Sequence, residues 1–317
     1  MSWFGAEIDG PMVVTRTAHF AASATTAGAL IFSGFVAEPA LRAAPQAGAL
    51  VRKQARAVAW IGLAVAVISG LAWVILLTMS LSDGGVGDAL ASEALLDVLN
   101  LTQFGLVSKV RLALAIVLTI CLAFERSASW RWLALAAAVS LVSSIAWIGH
   151  AGSTPNALGY LHLASDVLHL IAASAWIGGL LPLVLLLGAI RSRPGWSSLE
   201  LDAIRRFSTL GTASVGTLIV SGFFNAWILV GSLRGLVVTD YGQILMLKLA
   251  AFIVMLVFAA FNCFVLTPRL ALSSGQARQD ALHGLSRNTW IEIALGLSIL
   301  AMVGVLGSLH PATHLVH

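Results

Sequence analysis

The sequence predicts an all-α, polytopic integral membrane protein: a bundle of eight transmembrane helices with both termini outside. Three observations predict it. Of the 317 residues, 59% are hydrophobic and only 10% are Asp, Glu, Lys or Arg, whereas a soluble domain carries about 25% charged residues. The apolar residues gather into eight runs, each near the roughly 20 residues that cross a hydrocarbon core of about 30 Å. Helices are also the only open-ended structure that satisfies every backbone hydrogen bond in lipid. The same shortage of charge excludes an ordinary soluble enzyme, a disordered chain and a nucleic-acid-binding module. A net charge of +4 is spread too thinly over the chain to make a basic stripe.

The runs lie at 13–37, 57–80, 104–124, 130–149, 163–190, 206–230, 243–267 and 289–309. Turn or charge signals separate them, among them Glu38-Pro39, Asp83-Gly84-Gly85, Arg193-Pro194-Gly195 and Pro268-Arg269. The first run does not read as a cleavable signal peptide, because Glu7 and Asp9 precede it where a basic segment is required.

Orientation follows from Lys and Arg in the short loops. One alternate set holds Arg42, Arg52, Lys53, Arg56, Arg126, Arg131, Arg191, Arg193, Arg205, Arg206, Arg269, Arg278 and Arg287. The opposite set holds only Arg234, together with Glu7, Asp9, Asp83, Asp88, Glu93, Asp97 and Asp240. The basic loops are therefore expected in the cytoplasm and both termini in the periplasm.

With that orientation the histidines sort to one side. His150, His162, His310, His314 and His317 fall at or beyond outer helix ends, and His19 and His169 lie about two turns inside them. Only His283 is cytoplasmic. Ionisable groups inside a span are costly and face the bundle interior or a pathway, which singles out His19 and His169. The densest stretch runs from Gly149-His150 through His162, Asp166 and His169 to Trp176, Gly178 and Gly179. Helical spacing puts His162, Asp166 and His169 on one face. The two histidines are about 10.5 Å apart along the axis, too far to share one metal without strain. Asp166 with His169, completed by His19 or His150, is easier to build; alternatively, Asp166 fixes a histidine tautomer. The candidate metal residues are thus His19, His150, His162, Asp166 and His169.

Other polar groups fall within the spans. Lys109 and Arg111 can snorkel to the outer interface. Lys248 either pairs with an acid such as Asp166 or snorkels. Glu292 reads as a cap for the last helix, and Asn225 and Asn262 as interhelical hydrogen-bond residues. The two cysteines, Cys121 and Cys263, sit in apolar inner halves, so no disulfide framework or CxxC metal site is available. No nucleotide-binding or zinc-protease motif is present. The chain is therefore expected not to be an enzyme and to bind neither nucleotide nor nucleic acid.

Several segments together resemble the CopD family of copper-resistance and copper-homeostasis membrane proteins. They are Gly149-His150-Ala151, the 162–179 segment, Arg206-Phe207-Ser208, Ser221-Gly222 with Asn225-Ala226, Thr239-Asp240-Tyr241-Gly242 with Lys248, and Asn262 through Pro268-Arg269-Leu270. The resemblance spans the chain and is densest over 145–270. It implies one eight-helix domain over 1–317 in the bacterial inner membrane that mediates copper uptake. A separate periplasmic CopC-like copper-binding partner is also implied, because none is fused here. Imidazole suits copper, as Cu(I) or Cu(II), and thiolate favours Cu(I). The outer histidines are expected to capture the ion, with Ala at His169 or His19 abolishing binding. Two other readings stand beside this one. One is a haem b electron carrier ligated by outer-half histidines; the other is a non-transporting copper sensor or assembly protein.

Overall fold

A computed structural model describes residues 2–3, 6–7, 9–82, 85–91, 93–124, 127–154, 156–191, 194–311 and 313. Among the described residues eight helices are long and apolar enough to cross a membrane. They are α1 (Gly10–Ala40), α2 (Pro45–Ser82), α3 (Gln103–Ala123), α4 (Ala128–Trp147), α5 (Ala157–Ile190), α6 (Ser197–Val230), α7 (Asp240–Leu272) and α8 (Gly275–Leu306). Apart from a two-residue hairpin, Ser2–Trp3 with Ala6–Glu7, the architecture is all-α, as the composition required.

Most helices outrun their apolar cores. α2, α6 and α8 begin well before the predicted runs because hydropathy marks only what lies in lipid. The residues before those runs, rich in Ala, Arg, Gln and Leu, are good helix formers and carry the backbone ladder beyond the core. At the other end of α1, Asp9 caps the helix by accepting from the Met12 amide at 3.2 Å, and Pro11 stands in the first turn, where its missing N–H is not needed.

The ladder widens to a π turn at Ser33–Ala37, Ser174–Gly178 and Asn262–Leu266. Each is followed by a proline, namely Pro39, Pro182 and Pro268. A proline ring collides with the carbonyl four residues earlier. In all three cases that residue, Phe35, Gly178 or Phe264, lies within the π turn, where the extra residue relieves the clash.

α1 and α5 run parallel at the centre, and two thirds of the apolar stretch of each is buried. They meet where a Cβ on Gly28 would strike the backbone of Gly178 and Ser174, and one on Gly178 would strike Ala24. α1 also packs on α2, α4 and α8, and α5 on α6, α4 and α8, while α3 leans on α4 and α7 on α8. The outer faces of α2, α3, α6 and α7 present Ile61, Ile68, Leu106, Val220, Phe223 and Val257 outward, as a lipid-facing belt should.

The ends of the bundle differ. At one end Arg52 pairs with Glu38 at 2.6 Å, Arg278 pairs with Glu200 at 3.0 Å, and Arg52, Lys53, Arg56 and Arg131 surround one depression. At the other, Arg16 donates to Ser308 Oγ at 2.8 Å and Gln103 to the Trp147 carbonyl at 3.0 Å. The basic loops thus share one end. Arg126 and Arg193 lie outside the described residues.

Candidate functional site

Two polar clusters sit inside the bundle in the half opposite the basic loops. The first joins α5, α6 and α7. His169 on α5 reaches Ser221 Oγ on α6, with Nδ1 at 2.9 Å. That hydroxyl donates its one hydrogen to the Thr217 carbonyl at 2.6 Å, so it can only accept from Nδ1–H. The tautomer is thereby set, and the lone pair lies on Nε2, which accepts no hydrogen bond from any described residue. One turn earlier on α5, Asp166 Oδ1 accepts from Asn225 Nδ2 at 3.1 Å. The other amide atom, Asn225 Oδ1, is buried with no hydrogen-bond partner. Lys248 on α7 acts electrostatically on both Asp166 and His169. An imidazole lone pair, a carboxylate and an orphaned amide oxygen thus lie on neighbouring turns of α5 and α6, with the Lys248 ammonium acting on the first two.

The second cluster joins α1, α2, α3 and α4. His19 Nδ1 lies 3.1 Å from Ser69 Oγ, which donates to the Val65 carbonyl at 2.6 Å; the tautomer is set as for His169. Here Nε2 is occupied, since Arg111 Nη2 donates to it at 2.6 Å. Arg111 does not snorkel as expected. It is 6% exposed and also donates from Nη1 to the Leu141 carbonyl and Ser144 Oγ, both at 2.7 Å, and from Nη2 to Ser23 Oγ at 3.3 Å. An arginine at a helix centre costs about 3 kcal/mol to insert, and these bonds offset that cost better than a reach to the interface would. Trp73 packs edge-on against His19 and lies under the Arg16 guanidinium, 5.3 Å from the ring centroid.

The five sequence candidates are therefore divided. Asp166 and His169 share the α5–α7 cluster, and His19 lies in the other. His162 is buried on α5 and turns its Nδ1 to Thr154 Oγ1 at 2.8 Å. The side chain of His150, with His314 and His317, lies outside the described residues. Among the described residues no three His, Cys, Asp or Glu side chains are grouped to hold a metal ion between them. His19 meets Ser69 on α2 and Arg111 on α3, whereas His169 meets Ser221 on α6.

A third polar group lies nearer the basic end. Glu292 is 3% exposed. It does not serve as a helix cap; it accepts from Asn262 Nδ2 at 2.7 Å and from Trp176, and Asn288 donates to Asn262 Oδ1 at 2.9 Å. Glu292, Asn262 and Trp176, with Cys263, Thr267 and Ser208, border a cavity of about 220 Å³. The expected interhelical roles of Asn225 and Asn262 are both present. Sequence reasoning missed Ser69 and the fixed Arg111, and named Ser221 only within the family resemblance. A serine next to a glycine within an apolar run was the signal available at both 69–70 and 221–222.

Comparison with known proteins follows the two halves. The family described as Copper resistance protein D (CopD) matches residues 201–306, and that described as Copper resistance protein D-like, N-terminal domain, matches residues 7–160. Inner membrane protein YebZ of Escherichia coli is 31% identical over 213 residues, covering 66% of this chain and 70% of the relative. Copper resistance protein D of Pseudomonas syringae pv. tomato is 28% identical over 217 residues, 66% of this chain and 69% of the relative. Copper transport protein CutJ of Bacillus subtilis is 34% identical over 169 residues, 53% of this chain but 29% of that longer protein. No solved structure matches the chain. The two matched segments and the coverage of the Escherichia coli relative show that the chain belongs to the CopD family of membrane proteins.

Proposed function

We propose that the chain carries copper across the bacterial inner membrane, taking the ion at the histidine-bearing end and releasing it at the basic end. The observation that carries this reading is the α5–α7 cluster: His169 with a free Nε2 lone pair, Asp166, and the orphaned Asn225 Oδ1. Imidazole and carboxylate suit a borderline metal ion, and the relatives are named for copper transport and copper resistance. The ion is cargo; no bond of a substrate is made or broken. Of the sequence candidates, Asp166 and His169 bind it, while His162, seven residues earlier on α5, stands nearer the outer rim. From His169 the route descends α5 by about 10 Å to Trp176 and the cavity bordered by Glu292, Asn262 and Cys263. Basic loops mark the cytoplasmic face, so this direction is uptake, with periplasmic termini. A periplasmic CopC-like protein is the natural donor for a site that opens on that side.

The test is copper movement into proteoliposomes that enclose a copper-sensitive dye. The wild-type protein should transport, and His169→Ala and Asp166→Asn should reduce the rate at least tenfold while eluting as folded protein. Bound copper without flux in the wild type would favour a sensor or assembly role. Transport by both variants at the wild-type rate would refute the assignment of the site.

A further inference from the structure

The two polar clusters correspond residue by residue. Met12, Arg16, His19 and Gly28 on α1 are spaced as His162, Asp166, His169 and Gly178 are on α5. Ser69, Gly70 and Trp73 on α2 are spaced as Ser221, Gly222 and Asn225 are on α6. Thr102, Gly105 and Arg111 are spaced as Thr239, Gly242 and Lys248 are.

The contacts repeat with the spacing. Each histidine meets the serine of the next span through Nδ1, and each serine bonds the carbonyl four residues earlier. The glycine beside each serine leaves room for the imidazole: a Cβ there would stand 3.1 Å from His19 Cε1 and 3.4 Å from His169 Cε1. Thr102 and Thr239 each cap their helix by accepting from a glycine amide, Gly105 at 3.0 Å and Gly242 at 3.1 Å. Each threonine also donates to the carbonyl four residues earlier, at 2.5 and 2.6 Å. A short helix, Glu93–Leu101 in one case and Leu233–Val238 in the other, presses its backbone against that glycine. The packing pairs the same way: α1 with α2, α4 and α8; α5 with α6, α8 and α4; α3 with α4 and α7 with α8. The touching glycines, Gly28 and Gly178, are themselves equivalent positions, as contact across a two-fold axis requires.

We propose that the bundle is two parallel copies of one four-span unit, and that the Arg111 guanidinium is a built-in cation filling the N-terminal copy of the metal pocket. One position reverses its charge, one loses its amide, and one exchanges an ammonium for a guanidinium. Asp166 is replaced by Arg16, Asn225 by Trp73 and Lys248 by Arg111. The carboxylate and amide oxygen are gone from the N-terminal copy, and the Nε2 lone pair that would bind a metal accepts from Arg111 instead. Arginine is permanently charged and forks rigidly between acceptors, so it closes the pocket with a fixed positive charge. The chain then holds one intramembrane metal pocket, in its C-terminal half, and His19 is a structural counterpart of His169 that does not ligate.

This rests on the copper reading, and the experiment separates the two. Purified protein is equilibrated with copper(II) chloride, with and without ascorbate, and copper per chain is measured by elemental analysis. His169→Ala should lose one equivalent relative to wild type, and His19→Ala should lose none. Arg16→Asp with Trp73→Asn and Arg111→Lys rebuilds the N-terminal pocket and should gain one equivalent. A wild type that binds no copper refutes the copper reading. Loss of an equivalent in His19→Ala, or a folded triple variant with no gain, refutes the filled-pocket inference. If the triple variant does not fold, the pair of histidine variants still decides.

Discussion

At the residue scale, the chemistry of His169 depends on a hydroxyl one helix away. Because Ser221 Oγ gives its hydrogen to the Thr217 carbonyl, it holds the imidazole by accepting from Nδ1 and leaves the lone pair on Nε2, the atom proposed to ligate. A partner that orients a metal-binding imidazole changes affinity by about 10–100-fold when removed. Ser221→Ala should therefore weaken copper binding by that factor, read by competition against a chelator, with unchanged elution as folded protein. Equal affinity in the two proteins would remove Ser221 from the account. This dependence was not legible in the sequence. His169 and Asp166 were, because an ionisable residue in an apolar run is conspicuous. Ser221 was not, since a serine that back-bonds to its own helix is ordinary in a span. Arg111 shows the opposite failure: a long cationic side chain near an interface is expected to snorkel, and only the packed structure reveals four acceptors within its reach.

At the scale of elements, the bundle is organised by the close approach of α1 and α5. A Cβ on Gly28 or Gly178 would meet backbone rather than a flexible side chain, and backbone cannot step aside locally. Overpacking of a well-packed core costs about 1–3 kcal/mol, and here both central helices must move. Gly178→Val should therefore lower the midpoint of thermal unfolding in detergent. Gly216→Ala, which lies within α6 and meets nothing within 4 Å, should leave it unchanged or raise it, since Ala favours a helix over Gly. Equal midpoints would show that this contact does not organise the core. Helix number was legible because eight apolar runs are a one-dimensional property. The ends of α2, α6 and α8 were not, since helices continue beyond lipid wherever the residues favour it. Nor were the three π turns, although each precedes a proline whose steric demand accounts for it.

At the scale of the whole molecule, the asymmetry between basic and histidine-bearing ends gives the protein a direction. The positive-inside rule predicts that Ser232→Cys, beyond α6, is labelled from outside the cell by a membrane-impermeant maleimide, and that Ser274→Cys, before α8, is labelled only after permeabilisation. The reverse pattern would invert the membrane orientation and the direction of transport with it. The proposed likeness of the two halves is hard to see in the sequence because the copies differ at the polar positions that first draw attention. Arg16 stands against Asp166, Trp73 against Asn225 and Arg111 against Lys248. What persists is a set of glycines, serines and threonines whose contacts become visible only when the helices are packed.

The copper ion is proposed to be held by His169 and Asp166 rather than by sulfur. Copper K-edge X-ray absorption of the copper-loaded protein tests it most directly. The wild type should show a nitrogen and oxygen shell with imidazole scattering, and His169→Ala should lose that signal. A shell dominated by sulfur, or an imidazole signal undiminished in the variant, would contradict it.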